Sequence, residues 1–147
     1  MKSLLVSTLF LLTVICFAVA SLNAVAADSI PNLLGTWVGE ALVTVQGGGR
    51  HFTPGDLSDT RFVSNTFTYV IDKQEKNGFS GYTMSTINNF KEPVIGSIHP
   101  NGKQGITQDE DGGASFDLTG PDEMNICYRH AEPKSRVAVC YVLRRQK

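Results

Sequence analysis

From Leu33 onward, apolar and polar positions alternate in short bursts rich in Val, Ile, Thr, Phe and Tyr. The runs lie near Gly35–Val45, Thr66–Asp72, Phe79–Thr86, Pro93–His99, Gln104–Asp109, Ala114–Leu118, Met124–Arg129 and Arg136–Arg144. A period of two reads as half-buried β-strand, and no segment of this region sustains the 3.6-residue period of a helix. Turn chemistry separates the runs: Lys76-Asn77-Gly78, Pro100-Asn101-Gly102, Asp111-Gly112 and Gly120-Pro121-Asp122. Connections this short favour antiparallel hairpins, since parallel pairing needs long crossovers. Eight strands in a meander leave two exposed edges unless the sheet closes. The prediction is an all-β fold, an eight-stranded antiparallel up-and-down barrel, with Gly47–Ser64 as its one extended loop.

Alternation also assigns faces. Phe67, Tyr69 and Ile71 share one side, as do Phe116 and Leu118. Between the last two runs, Glu132-Pro133-Lys134-Ser135 has the composition of a turn. If it closes a hairpin, Ala131 faces Arg136, and counting outward places Cys127 opposite Cys140. Met124, Ile126 and Tyr128 then meet Leu143, Tyr141 and Val139 on an apolar face. A disulfide between Cys127 and Cys140 would lie on the outer wall, beside Asn125 and Arg129. It would close a loop of about 14 residues, which the chain-entropy relation values at roughly 3 kcal/mol. No C-x-x-C spacing suggests a redox pair.

The N-terminal residues read differently. Lys2 is followed by an apolar run from Leu4 to Ala20, and Ala24-Val25-Ala26 fits the small-x-small pattern of signal cleavage. Residues 1–26 are read as a cleavable signal peptide and 27–147 as one β-barrel domain, exported to a periplasm or secreted. The apolar run lacks the basic stop signal of a membrane anchor. Ile15 before Cys16, and the apolar stretch beyond it, do not fit a lipid-anchored precursor. Lys and Arg (13) nearly balance Asp and Glu (14), and no basic stripe argues for nucleic acid.

The opening Gly35-Thr36-Trp37 and the run Asn77-Gly78-Phe79-Ser80-Gly81-Tyr82 resemble motifs of the calycin superfamily, which includes lipocalins, avidins and a bacterial barrel inhibitor of metalloproteases. The resemblance implies a barrel whose closed end is capped by Trp37. Avidin-type biotin sites use several tryptophans, and this chain has one. Runs of five to nine residues imply a barrel shorter than a lipocalin cup, with an interior that Trp37, Phe67, Tyr69, Phe116, Tyr128 and Tyr141 would fill.

Few residues suggest chemistry. His51, His99 and His130 match no zinc spacing and read as surface residues in or beside turns. Asp109-Glu110-Asp111-Gly112-Gly113 lacks the ligand alternation of an EF-hand and reads as a hairpin turn with solvated acids. Gly47-Gly48-Gly49-Arg50 is followed by no phosphate-loop signature, and no nucleophile motif is present. The expectation is therefore a non-enzymatic binding module with no catalytic residue, cofactor or metal. It would hold a small amphipathic molecule at the barrel mouth through Trp37, Tyr69, Tyr128 and Tyr141. The alternative is a protein-binding barrel, such as a periplasmic protease inhibitor, that inserts the segment Ala27–Asn32 or its loops into a target.

Overall fold

A computed structural model describes residues 30–147. Residues 1–26, expected to form a signal peptide, and residues 27–29 lie outside the described residues. Eight strands run in chain order: β1 (Gly35–Gly47), β2 (Thr60–Glu75), β3 (Gly78–Ser85), β4 (Lys91–Ile98), β5 (Gln104–Gln108), β6 (Gly112–Gly120), β7 (Glu123–Glu132) and β8 (Ser135–Arg145). Each pairs antiparallel with its sequence neighbours, and β8 returns to β1, closing the barrel. Closure removes the free strand edges that an open meander would present.

The hairpin register holds as the sequence pattern requires. Ala131 faces Arg136, Cys127 faces Cys140, and one further pair, Glu132 with Ser135, leaves a two-residue turn. The disulfide Cys127–Cys140 sits on the exposed outer wall. Inside, the alternating residues Trp37, Phe79, Ile98, Phe116, Ile126 and Leu143 are all buried.

Two expectations change. β2 starts at Thr60 and spans 16 residues, so the loop after β1 ends well before Ser64. Its early half carries polar residues on the core side and Phe62 on the solvent side, which hides the strand from a reading by hydrophobicity. Strands of 13, 16 and 11 residues in β1, β2 and β8 make the barrel longer than the short runs implied.

One end is tightly closed. The Trp37 indole N–H donates to the Leu33 carbonyl at 2.9 Å, and the Arg145 guanidinium stacks 4.3 Å from its ring. Arg145 also donates to the carbonyls of Asn32 and Leu34, while Gln74 bonds Leu33 N–H and the Pro31 carbonyl. The segment before β1 is thus pinned across the barrel base from Pro31 on. At this end lie the β2–β3, β4–β5 and β6–β7 turns; at the other lie the long β1–β2 loop and the β3–β4, β5–β6 and β7–β8 turns.

Candidate functional site

Gly47 ends β1 with φ of 74°, a conformation open to glycine, and a Cβ there would collide with the Lys134 carbonyl. The chain then turns over the barrel mouth. Arg61 of β2 anchors this loop by donating to the carbonyls of Gly47 and Thr53. The anchored loop directs Arg50, His51 and Phe52 inward. His51 packs edge-on against Phe67 and Phe90, and Phe52 is buried.

Beneath the loop, alternation on five strands converges polar groups. Tyr69 comes from β2, Thr83 from β3, Glu92 from β4, Tyr128 and His130 from β7, and Tyr141 from β8. Asp109 and Asp111 enter from the β5–β6 turn. Glu92 is 1% exposed. Its carboxylate meets His51 Nε2 at 3.0 Å and Arg50 Nη1 at 3.6 Å, and Arg50 also pairs with exposed Glu110. Carboxylate oxygens of Glu92, Asp109 and Asp111 lie within 4.8 Å of one another. The Tyr128 hydroxyl donates to Asp111 at 3.0 Å, and His130 Nδ1 stands 3.7 Å from the same carboxylate. His130 Nε2 is 2.8 Å from the Ser135 hydroxyl, which in turn donates to the Gly48 carbonyl and so ties the site to the loop.

Burial and crowding set the electrostatics. Burial raises the Asp109 carboxyl above the usual carboxylate range, and Glu92 and Asp111 push the same way; N–H donation from Gly112 opposes them. Burial, followed by the charges of Asp109 and Asp111, raises the Tyr128 hydroxyl. Burial lifts Tyr69 to about 12, and burial beside Tyr69 holds Tyr141 well above its ordinary value. The enclosed space is small. Its volume of about 20 Å³ is room for roughly one water.

The structure therefore gathers Tyr69, Tyr128 and Tyr141 around one cavity and places Trp37 elsewhere. Trp37 is fully buried at the closed base and is no part of the mouth, because β1 begins at that end. Two sequence expectations are corrected. Only His99 is an exposed histidine; His130 is buried and His51 largely so, since both face inward at the mouth. Of the acids around the β5–β6 turn, only Glu110 is solvated. Asp109 turns inward to cap the N–H groups of Asp111 and Gly112, at 3.3 and 2.7 Å. Glu92 and Thr83 carry no motif in the sequence; the one signal is that Glu92, just before Pro93, shares the parity of Val94 and Ile98 on β4.

Comparison with known proteins adds little. No family model matches the chain, and no curated protein does. One solved structure is similar, an S-type phycobiliprotein lyase, CPES, from Guillardia theta. It matches at 12% identity over 78% of this chain and 89% of that chain, with a TM-score of 0.31. A likeness at that level carries no argument about what this chain binds or does. The expectation of a module without catalysis is corrected on the chain's own residues: the mouth holds buried Glu92 and His130, titratable groups of the kind that reading took to be absent.

Proposed function

We propose that the barrel binds a small amphipathic molecule at its loop-covered mouth. The observation that supports this reading is that the mouth is filled by the chain's own loop rather than by the barrel wall. Arg50, His51 and Phe52 occupy the space above the tyrosines, on a segment that begins Gly47-Gly48-Gly49. Swinging that segment outward exposes an apolar wall of Phe67, Val139 and Tyr141 above a floor of tyrosine hydroxyls and carboxylates. An apolar wall with a few convergent polar groups is the usual chemistry of a small-molecule site. The small-x-small pattern at Ala24-Val25-Ala26 supports an exported location for this activity.

The test compares the mass of the natively purified protein with that of the same sample after denaturation, followed by thermal-shift screening of amphipathic amines, phenols and fatty acids. A bound mass lost on denaturation, or a ligand whose affinity falls about tenfold or more in Tyr69→Phe/Tyr141→Phe, supports the reading; a tenfold loss is about 1.4 kcal/mol, the scale of one or two buried hydrogen bonds. A bare mass together with no shift across the screen would overturn it.

A further inference from the structure

The ladder between β2 and β3 ends where Phe67 faces Ser85, yet β2 begins at Thr60. The first half of β2 therefore has β1 on one side and no strand on the other. Which backbone groups face that open side follows from Thr66. Its N–H donates to the Thr86 hydroxyl at 3.4 Å and its carbonyl accepts from the Thr86 N–H at 3.1 Å, so both point away from β1. The β1–β2 register runs from there to Thr60 without a shift. Alternation then turns the N–H and C=O of Ser64, Phe62 and Thr60 to the same open side. Among the described residues, none of these groups has a backbone partner there.

Natural strand edges are blunted by lysine, proline, a bulge or an inward charge. Between Thr60 and Asn65 there is no lysine, proline or bulge. Arg61 is the one charge, and its guanidinium is held by the carbonyls of Gly47 and Thr53. Thr60, Phe62 and Ser64 stand outward along the edge, and Phe62 is 68% exposed.

We infer that the first half of β2 pairs antiparallel, across a two-fold axis, with the same segment of a second copy of this chain. An antiparallel edge can complement itself, and one register uses every free group. It sets Phe62 against Phe62 of the second copy, and Thr60 against Ser64 in both directions. A shift of two residues one way sets Thr60 against Thr66, whose groups are held by Thr86. The opposite shift sets Ser64 against Ser58, whose N–H is held by the Asp56 carboxylate. Side chains that did not enter this choice agree with it. The register places Asp59 of each copy opposite Asn65 of the other. Asn65 is 5% exposed, and its Nδ2 has no hydrogen-bond partner. Among the described residues, the Asp59 carboxylate makes no hydrogen bond or ion pair. A spare donor thus meets a spare acceptor, Arg61 falls opposite Val63 rather than a like charge, and the two phenyl rings form a cross-strand aromatic pair. The contact is small beside the roughly 1,200–2,000 Å² of a standard interface, so the dimer is a reversible one.

This inference concerns the outer edge of the sheet and stands whatever the mouth binds. The test is sedimentation of the purified protein over a wide range of concentration. The expected result is a monomer–dimer equilibrium in which mass rises with concentration. Phe62→Lys sets two ammonium groups face to face and should weaken association about tenfold or more. Phe62→Glu should do the same. An equal mixture of these two variants should restore the dimer, because the two-fold axis pairs position 62 with itself. Ser64→Pro removes an N–H that the monomer leaves free and should also weaken association about tenfold or more. An interface made by the Phe62 side chain alone would not respond to it. Ile106→Lys, at an exposed apolar position on β5, should change nothing. A monomer at every concentration would overturn the inference, even if the edge accepted a strand from another protein. So would a dimer retained by folded Phe62→Lys or Ser64→Pro, or a charge-swapped mixture that stays monomeric. If Ser64→Pro does not fold, the charge-swapped mixture decides, since it alters only an exposed side chain.

Discussion

At the scale of single residues, the mouth depends on side chains that a composition count treats as surface. Gly112 shows how close the fit is. A Cβ built there would stand 2.3 Å from the Tyr128 hydroxyl and 2.6 Å from the His130 Cβ. Its N–H also caps Asp109 at 2.7 Å. Gly112→Ala must therefore displace Tyr128 or His130, and overpacking of this kind costs about 1–3 kcal/mol. The expected outcome is a lower urea midpoint together with a changed near-ultraviolet tyrosine signal; a variant as stable as the parent, with an unchanged spectrum, would show that the wall yields more easily than its geometry implies. Residue roles at the mouth were only partly legible. Tyr69, Tyr128 and Tyr141 follow from alternation. Asp109 does not, because an acid beside Asp-Gly has the same sequence signature whether it is solvated or folded back to cap its own turn.

At the scale of elements, the β7–β8 hairpin is the part that the sequence specified best. Two strand runs, one turn and two cysteines agree on one register, and each alone would have left alternatives. The bridge joins residues 13 apart on the outer wall, away from the mouth. Its removal in Cys127→Ser/Cys140→Ser should cost about 3 kcal/mol by loop-closure entropy, seen as a lower unfolding midpoint with ligand affinity retained. Loss of the mouth's binding in a still-folded variant would mean that the staple positions Tyr128 and Tyr141 as well as stabilising the hairpin. The first half of β2 was the hardest element to read. Arg61 and Asn65 share the inner parity with Val63 while Phe62 points outward, which blurs the alternation that identifies a half-buried strand. Its pairing to β1 is fixed by the closed ladder, and Arg61 is spent on holding the loop.

For the molecule as a whole, the barrel packs apolar side chains from the base upward and changes to ionisable ones near the mouth. This gradient has a consequence in alkali. Tyr69, Tyr128 and Tyr141 are held neutral in the folded protein, with Tyr69 at about 12 and burial the leading cause for each. An unfolded chain releases phenolic protons near pH 10. Stability is therefore whole below about pH 10 and declines as pH rises toward 12, with Tyr69 alone contributing roughly 2–3 kcal/mol to the loss. A thermal midpoint that is flat below that range and then falls, with phenolate absorbance appearing together with unfolding, is the expected result. Free titration of these tyrosines near pH 10 in a protein that stays folded would contradict it. The barrel and its strand order were readable because every level of pattern pointed one way. The mouth was not, because its groups are far apart in sequence and meet only when the sheet closes.

The chain's single tryptophan lies beneath Arg145 at the base, sealed from solvent and on a different floor from the carboxylates. That position makes Trp37 a resident reporter with a narrow remit. Its emission will register collapse of the whole barrel and stay silent while the mouth opens, fills or changes charge. Signals from Tyr69, Tyr128 and Tyr141 will register both kinds of event. One cuvette can thus separate local opening from global loss of structure, with no label introduced into the protein.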